Sequence, residues 1–346
     1  MLLCALGLVS NGGRMANRCG LIIGTMLLAG ATIAIQAAPP ATRGVQARTP
    51  DGKPDLTGIY SFSTITPLQR PEALAGKATL SEQEASEFER SENTRLNRDL
   101  FDPEKGQPSA GYAARADGGV LSYNEFWYER GNKLTNDRRT SLIVDPPNGH
   151  IPFDRAVQQR LANRGRLSDS GLADSYEERG LSDRCIQGFN SGPPMTPSQY
   201  NNNVQIMQAP GVVVLINEVI HNARIIPTDG RPHTSIRQWS GDSRGLWEGD
   251  TFVVETINFR RETSLPGSTA NTKVVERLTR IDTDTLKYEF TVTDPSAYTQ
   301  PWSAMIPLTR IAGPIFEYGC HEGNYALPNI LSGIRAQEKA ALAGER

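Results

Sequence analysis

The sequence predicts a mainly β fold, an antiparallel meander closing into a barrel or sandwich, with peripheral helices that include one at the C-terminus. Three observations lead there. After Tyr200 the chain carries closely spaced β-prone runs at residues 204–208, 212–217, 220–226, 251–257, 273–281, 285–293 and 302–308, set apart by turn residues. No helical pattern separates them, which disfavours a parallel sheet. Within one run Leu286, Tyr288, Phe290 and Val292 alternate with Lys287, Glu289, Thr291 and Thr293, the period of a strand with one buried face.

In chain order, residues 1–38 read as an export signal: MANR from Met15, an apolar run of about fifteen residues, then small residues suited to cleavage near Ala37 or Ala38. Met15 is a second candidate start, and a permanent anchor helix is the alternative to cleavage. Cys19 precedes the apolar run, whereas a lipid-modified cysteine would follow it. Residues 39–54, rich in Pro, Arg, Thr and Gly, read as a flexible leader. A single β-rich domain then spans 55–346, with an irregular, partly helical insertion around 81–200.

Gly58-Ile59-Tyr60 opens a first strand, and Ser81-Glu82-Gln83-Glu84 is a capping box that starts a charged helix to about Leu96. Residues 98–120 carry many Gly, Pro and Asp and read as a surface loop. NEFWYER (124–130) and RTSLIV (139–144) read as two strands of a hairpin, stopped by Asp145-Pro146-Pro147-Asn148-Gly149. A helix is expected over Asp154–Arg164 with Gly165 as its stop. Asp282-Thr283-Asp284 is a hairpin turn, and Leu327–Leu342 is the C-terminal helix, expected on the outside or end of the sheet.

Thirty-six basic and 38 acidic residues leave a formal charge of −2, which provides no electrostatic footprint for nucleic acid. No nucleotide, flavin or phosphate-loop motif is present, so the cofactor stays open. Removing the signal takes away Cys4 and Cys19 and leaves Cys185 and Cys320, an even pair that an oxidising compartment tends to bond. That disulfide would close a loop of about 135 residues, worth roughly 4–5 kcal/mol in the chain-entropy model. A reactive thiol at Cys320, beside His321, is the alternative.

Three constellations could carry chemistry. In a strand over 220–226, His221 and Ala223 share one face while Arg224 and Ile226 share the other with Glu218. The turn Asp229-Gly230-Arg231-Pro232 could bring His233 back toward His221, and His321 or Glu322 could complete a general acid/base pair or a divalent metal site. Trp239, Asp242, Arg244 and Trp247 sit in two glycine-containing turns at a barrel mouth; the tryptophans could be flat walls for a ligand whose polar end Asp242 and Arg244 would fix. Tyr318-Gly319-Cys320-His321-Glu322-Gly323-Asn324 places polar side chains before the C-terminal helix, where anions are favoured. For each there is a plainer reading: hydrogen-bonded histidines at strand ends, charges and a tryptophan plugging the barrel end, and a turn in which Asn324 caps the helix. His150, after Asn148-Gly149, reads as a surface residue.

The strings RTSLIVDPP, YNNNVQI, HNARIIPTDGRPH, IRQWSGDSRGLWEGDTFVVETINF, VVERLTRIDTDTLKYEFTVTDP and YGCHEGNY resemble those of a family of uncharacterised exported bacterial proteins. The likeness spans about Arg48 to Ala340. It implies a periplasmic or secreted protein without a stable membrane span and brings no activity with it. By analogy of the meander, the barrel is of the calycin or lipocalin-like kind. The expected function is binding of a small apolar or aromatic molecule, with a lean toward hydrolysis or elimination in which His221 or His233 is the base, Arg224 stabilises negative charge and His321 with Glu322 completes the site. A non-catalytic carrier is the alternative, with Tyr318 among its lining residues, and an envelope interaction protein is the third class.

Overall fold

A computed structural model describes residues 47–100, 125–168, 175–261, 265 and 267–344. The signal expected at 1–38, most of the loop expected at 98–120 and Asn124 lie outside them. Ten antiparallel strands form one sheet: β1 (Gly58–Ser61), β2 (Ile143–Asp145), β3 (Asn203–Ala209), β4 (Val212–Asn217), β5 (Ala223–Pro227), β6 (Asp242–Glu248), β7 (Thr251–Ile257), β8 (Lys273–Arg280), β9 (Thr285–Thr293) and β10 (Trp302–Arg310). Their order is β5-β4-β3-β1-β10-β9-β8-β7-β6, with β2 paired to β10. Two meanders, β3–β5 and β6–β10, are thus joined through β1. β1 meets the end of β10 at Tyr60↔Arg310, while β2 meets its start at Ala304↔Ile143.

The sheet curls into a nearly closed barrel. Its two end strands, β5 and β6, lie side by side without pairing to each other. At that seam Gly245 is required by space: a Cβ there would stand 2.6 Å from Phe252 and 3.0 Å from Ile226 of β5. The lumen is packed, as alternation on β8, β9 and β10 demands. Val274, Leu278, Leu286, Tyr288, Phe290, Val292, Trp302, Ala304, Ile306 and Leu308 are all essentially inaccessible. Burying each large side chain stabilises by roughly 1.5–3 kcal/mol.

One ionic group shares that interior. Arg224 of β5 reaches across to Glu276 of β8 in a bidentate pair, 2.7 and 2.9 Å. The Tyr288 hydroxyl donates to Glu276 Oε1 at 2.6 Å and accepts the N–H of the fully buried Met195 at 2.9 Å. Burial works against the guanidinium charge, but the Glu276 carboxylate outweighs it and holds Arg224 above its ordinary value. Burial, reinforced by the Glu276 charge, pushes the Tyr288 phenol well above its ordinary range. The chain Arg224–Glu276–Tyr288–Met195 therefore ties the 188–195 loop to the inside of the wall.

Helix α1 (Glu82–Leu96) begins with both halves of the capping box, Glu84 N–H to Ser81 Oγ and Ser81 N–H to Glu84 Oε2. Its Ala85 joins Ile65, Leu80 and Leu134 in a second, small core outside the barrel. Helix α2 (Arg155–Ser168) runs through Gly165, past the expected stop, and α3 (Ala326–Ala343) buries none of its residues.

Other departures have local causes. The described residues of NEFWYER, 125–130, make no strand: Glu125–Trp127 is a single 3-10 turn, with Phe126 84% and Trp127 63% exposed. Aromatic propensity suggested a strand, but β2 pairs with β10 and not with this segment, so the expected hairpin does not form. The strand expected from Ile220 starts only at Ala223, since Ile220 and His221 have φ of 56° and 39° in a 3-10 turn. Strand β6 occupies what reads as two turns; its sequence DSRGLWE is poor in β-branched residues. Residues 47–54 do not trail freely but close a turn, with Asp55 N–H on Ala47 O at 2.8 Å and Arg48 on Asp250 at 2.8 Å.

Candidate functional site

The predicted mouth cluster is split by the alternation of β6. In the pairing with β7, Ser243, Gly245 and Trp247 face Thr256, Val254 and the fully buried Phe252, so they point inward. Asp242 and Arg244 therefore point outward. Trp247 packs its ring 5.1 Å from Phe252 as part of the barrel core. Trp239, before the strand, lies under Arg260 at 4.2 Å and near Arg184 at 5.8 Å. Asp242 is taken up by its own loop, accepting the Thr234 N–H at 2.7 Å and pairing with Arg244, whose Nε donates to Pro232 O at 3.0 Å. Burial raises the Asp242 carboxyl, but the Thr234 N–H and the Arg244 guanidinium outweigh it and hold it below its ordinary value.

The histidines do not converge. His221 is exposed in the turn before β5, while Arg224 points into the lumen and is spent on Glu276. His233 lies on the outer wall between carboxylates of two strands, Nδ1 3.3 Å from Asp242 and Nε2 3.4 Å from Glu255, which Lys273 also pairs. His321 is exposed at the third site. Among the described residues no three His, Cys, Asp or Glu side chains are grouped to hold a metal ion. The proposed acid/base site of His221, His233, Arg224, His321 and Glu322 is thus not assembled. Glu218 does not join Arg224, as face parity suggested, because the turn at 219–221 breaks the register; it accepts from Asn203 Nδ2 at 2.7 Å and the Phe316 N–H at 2.8 Å.

The corner around Cys320 is built by covalent chemistry. Cys185 and Cys320 form the expected disulfide, with Cα atoms 5.7 Å apart. Asn324 does not cap α3, whose N-cap is Tyr325; its amide spans instead to Asp183 O at 3.4 Å and Cys185 Sγ at 3.3 Å. Beside this corner is a hollow of about 590 Å³, in whose wall are Tyr318, Glu322, Trp127, Tyr200 and Leu327.

A larger hollow, about 930 Å³, lies between α1, the 64–71 segment and the 189–200 loop. Phe88, Tyr128, Phe189 and Tyr200 supply aromatic walls, with Ile65, Leu68, Leu96 and Pro197 beside them. Phe189 meets Tyr200 edge-on at 5.2 Å, and Tyr128 lies 6.3 Å from Tyr200. Its charged groups are paired, Arg95 with Glu92 and Arg130 with Glu125, and Arg130 also lies 4.9 Å above Tyr128. Sequence reasoning missed this site: its residues come from segments without periodicity, and only the unusual run of aromatics in NEFWYER hinted at it.

Nearby, two carboxylates approach one amide. Asn203 Nδ2 lies 3.2 Å from Glu129 and 2.7 Å from Glu218. Desolvation there lifts the Glu129 carboxyl above its ordinary value; the Asn203 amide opposes this and the Glu218 charge adds to it.

No family model matches the chain, and no curated protein matches it. Among solved structures it is similar to a "secretary abundant heat soluble (SAHS) protein" from Ramazzottius varieornatus, with 11% identity over 32% of this chain and 70% of that one, at a TM-score of 0.23. A likeness this slight carries no function across, and the barrel rests on its own strand order. No helix among the described residues is long and apolar enough to cross a membrane.

Proposed function

We propose that this is an exported binding protein that carries a small apolar or aromatic molecule in the larger hollow, and we place it with the exported bacterial family its strings resemble. The observation behind this is the hollow itself: about 930 Å³ walled by four aromatic rings together with Ile65, Leu68, Leu96 and Pro197, its charged groups paired, has the size and aromatic lining of a small-molecule site. Carriage is favoured over turnover because the imidazoles are dispersed on outer surfaces. The Cys185–Cys320 disulfide supports an oxidising compartment, hence the periplasm or the exterior.

Titration with the aromatic anion 1-anilinonaphthalene-8-sulfonate, followed by its fluorescence, tests the reading. Saturable one-to-one binding is expected, weakened roughly tenfold by Phe189→Ala, which removes an exposed ring from the wall. Absence of saturation, or affinity that Phe189→Ala and Leu96→Trp both leave unchanged, would overturn it.

A further inference from the structure

We propose that the smaller hollow, beside the disulfide, is a second binding site, and that its ligand is a small organic cation such as a quaternary ammonium. Three aromatic side chains, Trp127, Tyr200 and Tyr318, and three carboxylates, Asp183, Glu317 and Glu322, contribute to its wall, and no Lys, Arg or His does. The larger hollow differs in this respect, since Arg95 and Arg130 line it. Asp183 is engaged by Arg179 at 3.3 Å, but Glu317 and Glu322 have no ion-pair partner among the described residues. Aromatic faces are negative and attract a cation that sheds part of its water; carboxylates at the rim supply the countercharge.

The start of α3, at Ala326 and Leu327, also borders the hollow and acts against a cation, because a helix N-terminus carries about half a positive charge. Two full unpaired carboxylates outweigh it, and Glu322 is itself an anion of the kind that this helix end favours. Trp127 fits the same reading. It is 63% exposed, contacting the Phe126 ring at 5.3 Å, so its indole face is available to a ligand. The wall is rigid on its far side, where the disulfide and the Asn324 amide join the 182–185 segment to the 318–324 segment.

The test is calorimetric titration of the full chain with choline and with its neutral carbon isostere, 3,3-dimethylbutan-1-ol. Saturable choline binding is expected, with the alcohol at least tenfold weaker. The double variant Glu317→Gln/Glu322→Gln and the single variant Trp127→Ala should each weaken choline roughly tenfold. These side chains are exposed, so an unchanged thermal transition verifies that the variants fold. No saturation up to about 10 mM choline, equal affinity for the alcohol, or unchanged affinity in the double variant would each overturn the proposal.

Discussion

The barrel wall and the irregular segments outside it contain the same kinds of residue and use them oppositely. In the wall, Phe290 and Trp302 are sealed into a lumen with their rings 5.6 Å apart, and even the charged Arg224 and Glu276 are consumed in pairing. Outside it, Phe126, Trp127 and Phe189 stay exposed and the two hollows lie among them. The wall therefore provides the stability, and the loops attached to it provide the surfaces that can receive a molecule. A barrel of this size either fills its lumen with side chains or leaves room for one small ligand; here packing fills it, and the open hollows lie outside the wall.

Substitutions that remove the same chemistry from each region would sharpen that contrast. The largest effect is expected from Glu276→Leu, which leaves the Arg224 charge buried and unpaired: about 3–5 kcal/mol lost in urea unfolding, with most of it recovered in Arg224→Met/Glu276→Leu. A double variant as unstable as the single would mean that the ion pair itself is a net stabiliser. Phe290→Ala should cost about 3–5 kcal/mol, whereas Phe126→Ala should stay within about 0.5 kcal/mol. Comparable losses at the two positions would erase the distinction between regions. Cys185→Ser, measured without reductant, is expected to lose about 2–5 kcal/mol.

A small gain is expected from Glu129→Gln, whose sign is set by the raised carboxyl. An acid held above its unfolded value binds its proton more tightly in the folded state, so its contribution to stability is lost as pH rises through that window. The glutamine variant should therefore be more stable than the parent near neutral pH, by at most about 1 kcal/mol given the exposure of Glu129, and no more stable below about pH 4. A gain that persisted unchanged into acid would point away from titration as the cause.

The sequence reveals the wall better than the sites for a physical reason. Strand β9 is legible to the residue because one face is sealed, so alternation records the burial directly, while β7 is marked instead by its run of Phe252, Val253 and Val254, all buried. Strand β6 escaped because Gly245 and charged neighbours suit a crowded seam and an outer surface, and they look like turn residues. The disulfide followed from parity and compartment alone. The sites were not legible: His221, His233 and His321 were grouped by residue type, whereas the hollows are walled by prolines, aromatics and glycines from stretches with no period, brought together only by the fold. Arg224 shows both sides. Alternation put it on one face with Ile226, which the structure shows to be the inner one, yet nothing local announces that a glutamate 52 residues later awaits it.

The four residues of β1 impose an order on maturation. Tyr60 pairs with Val204 on one side and with Arg310 on the other, so this early segment has no complete seat until the chain has been made as far as β10. Contacts so far apart along the chain form slowly. The two meanders can assemble while this short piece waits, and its insertion would be the step that welds them into one body.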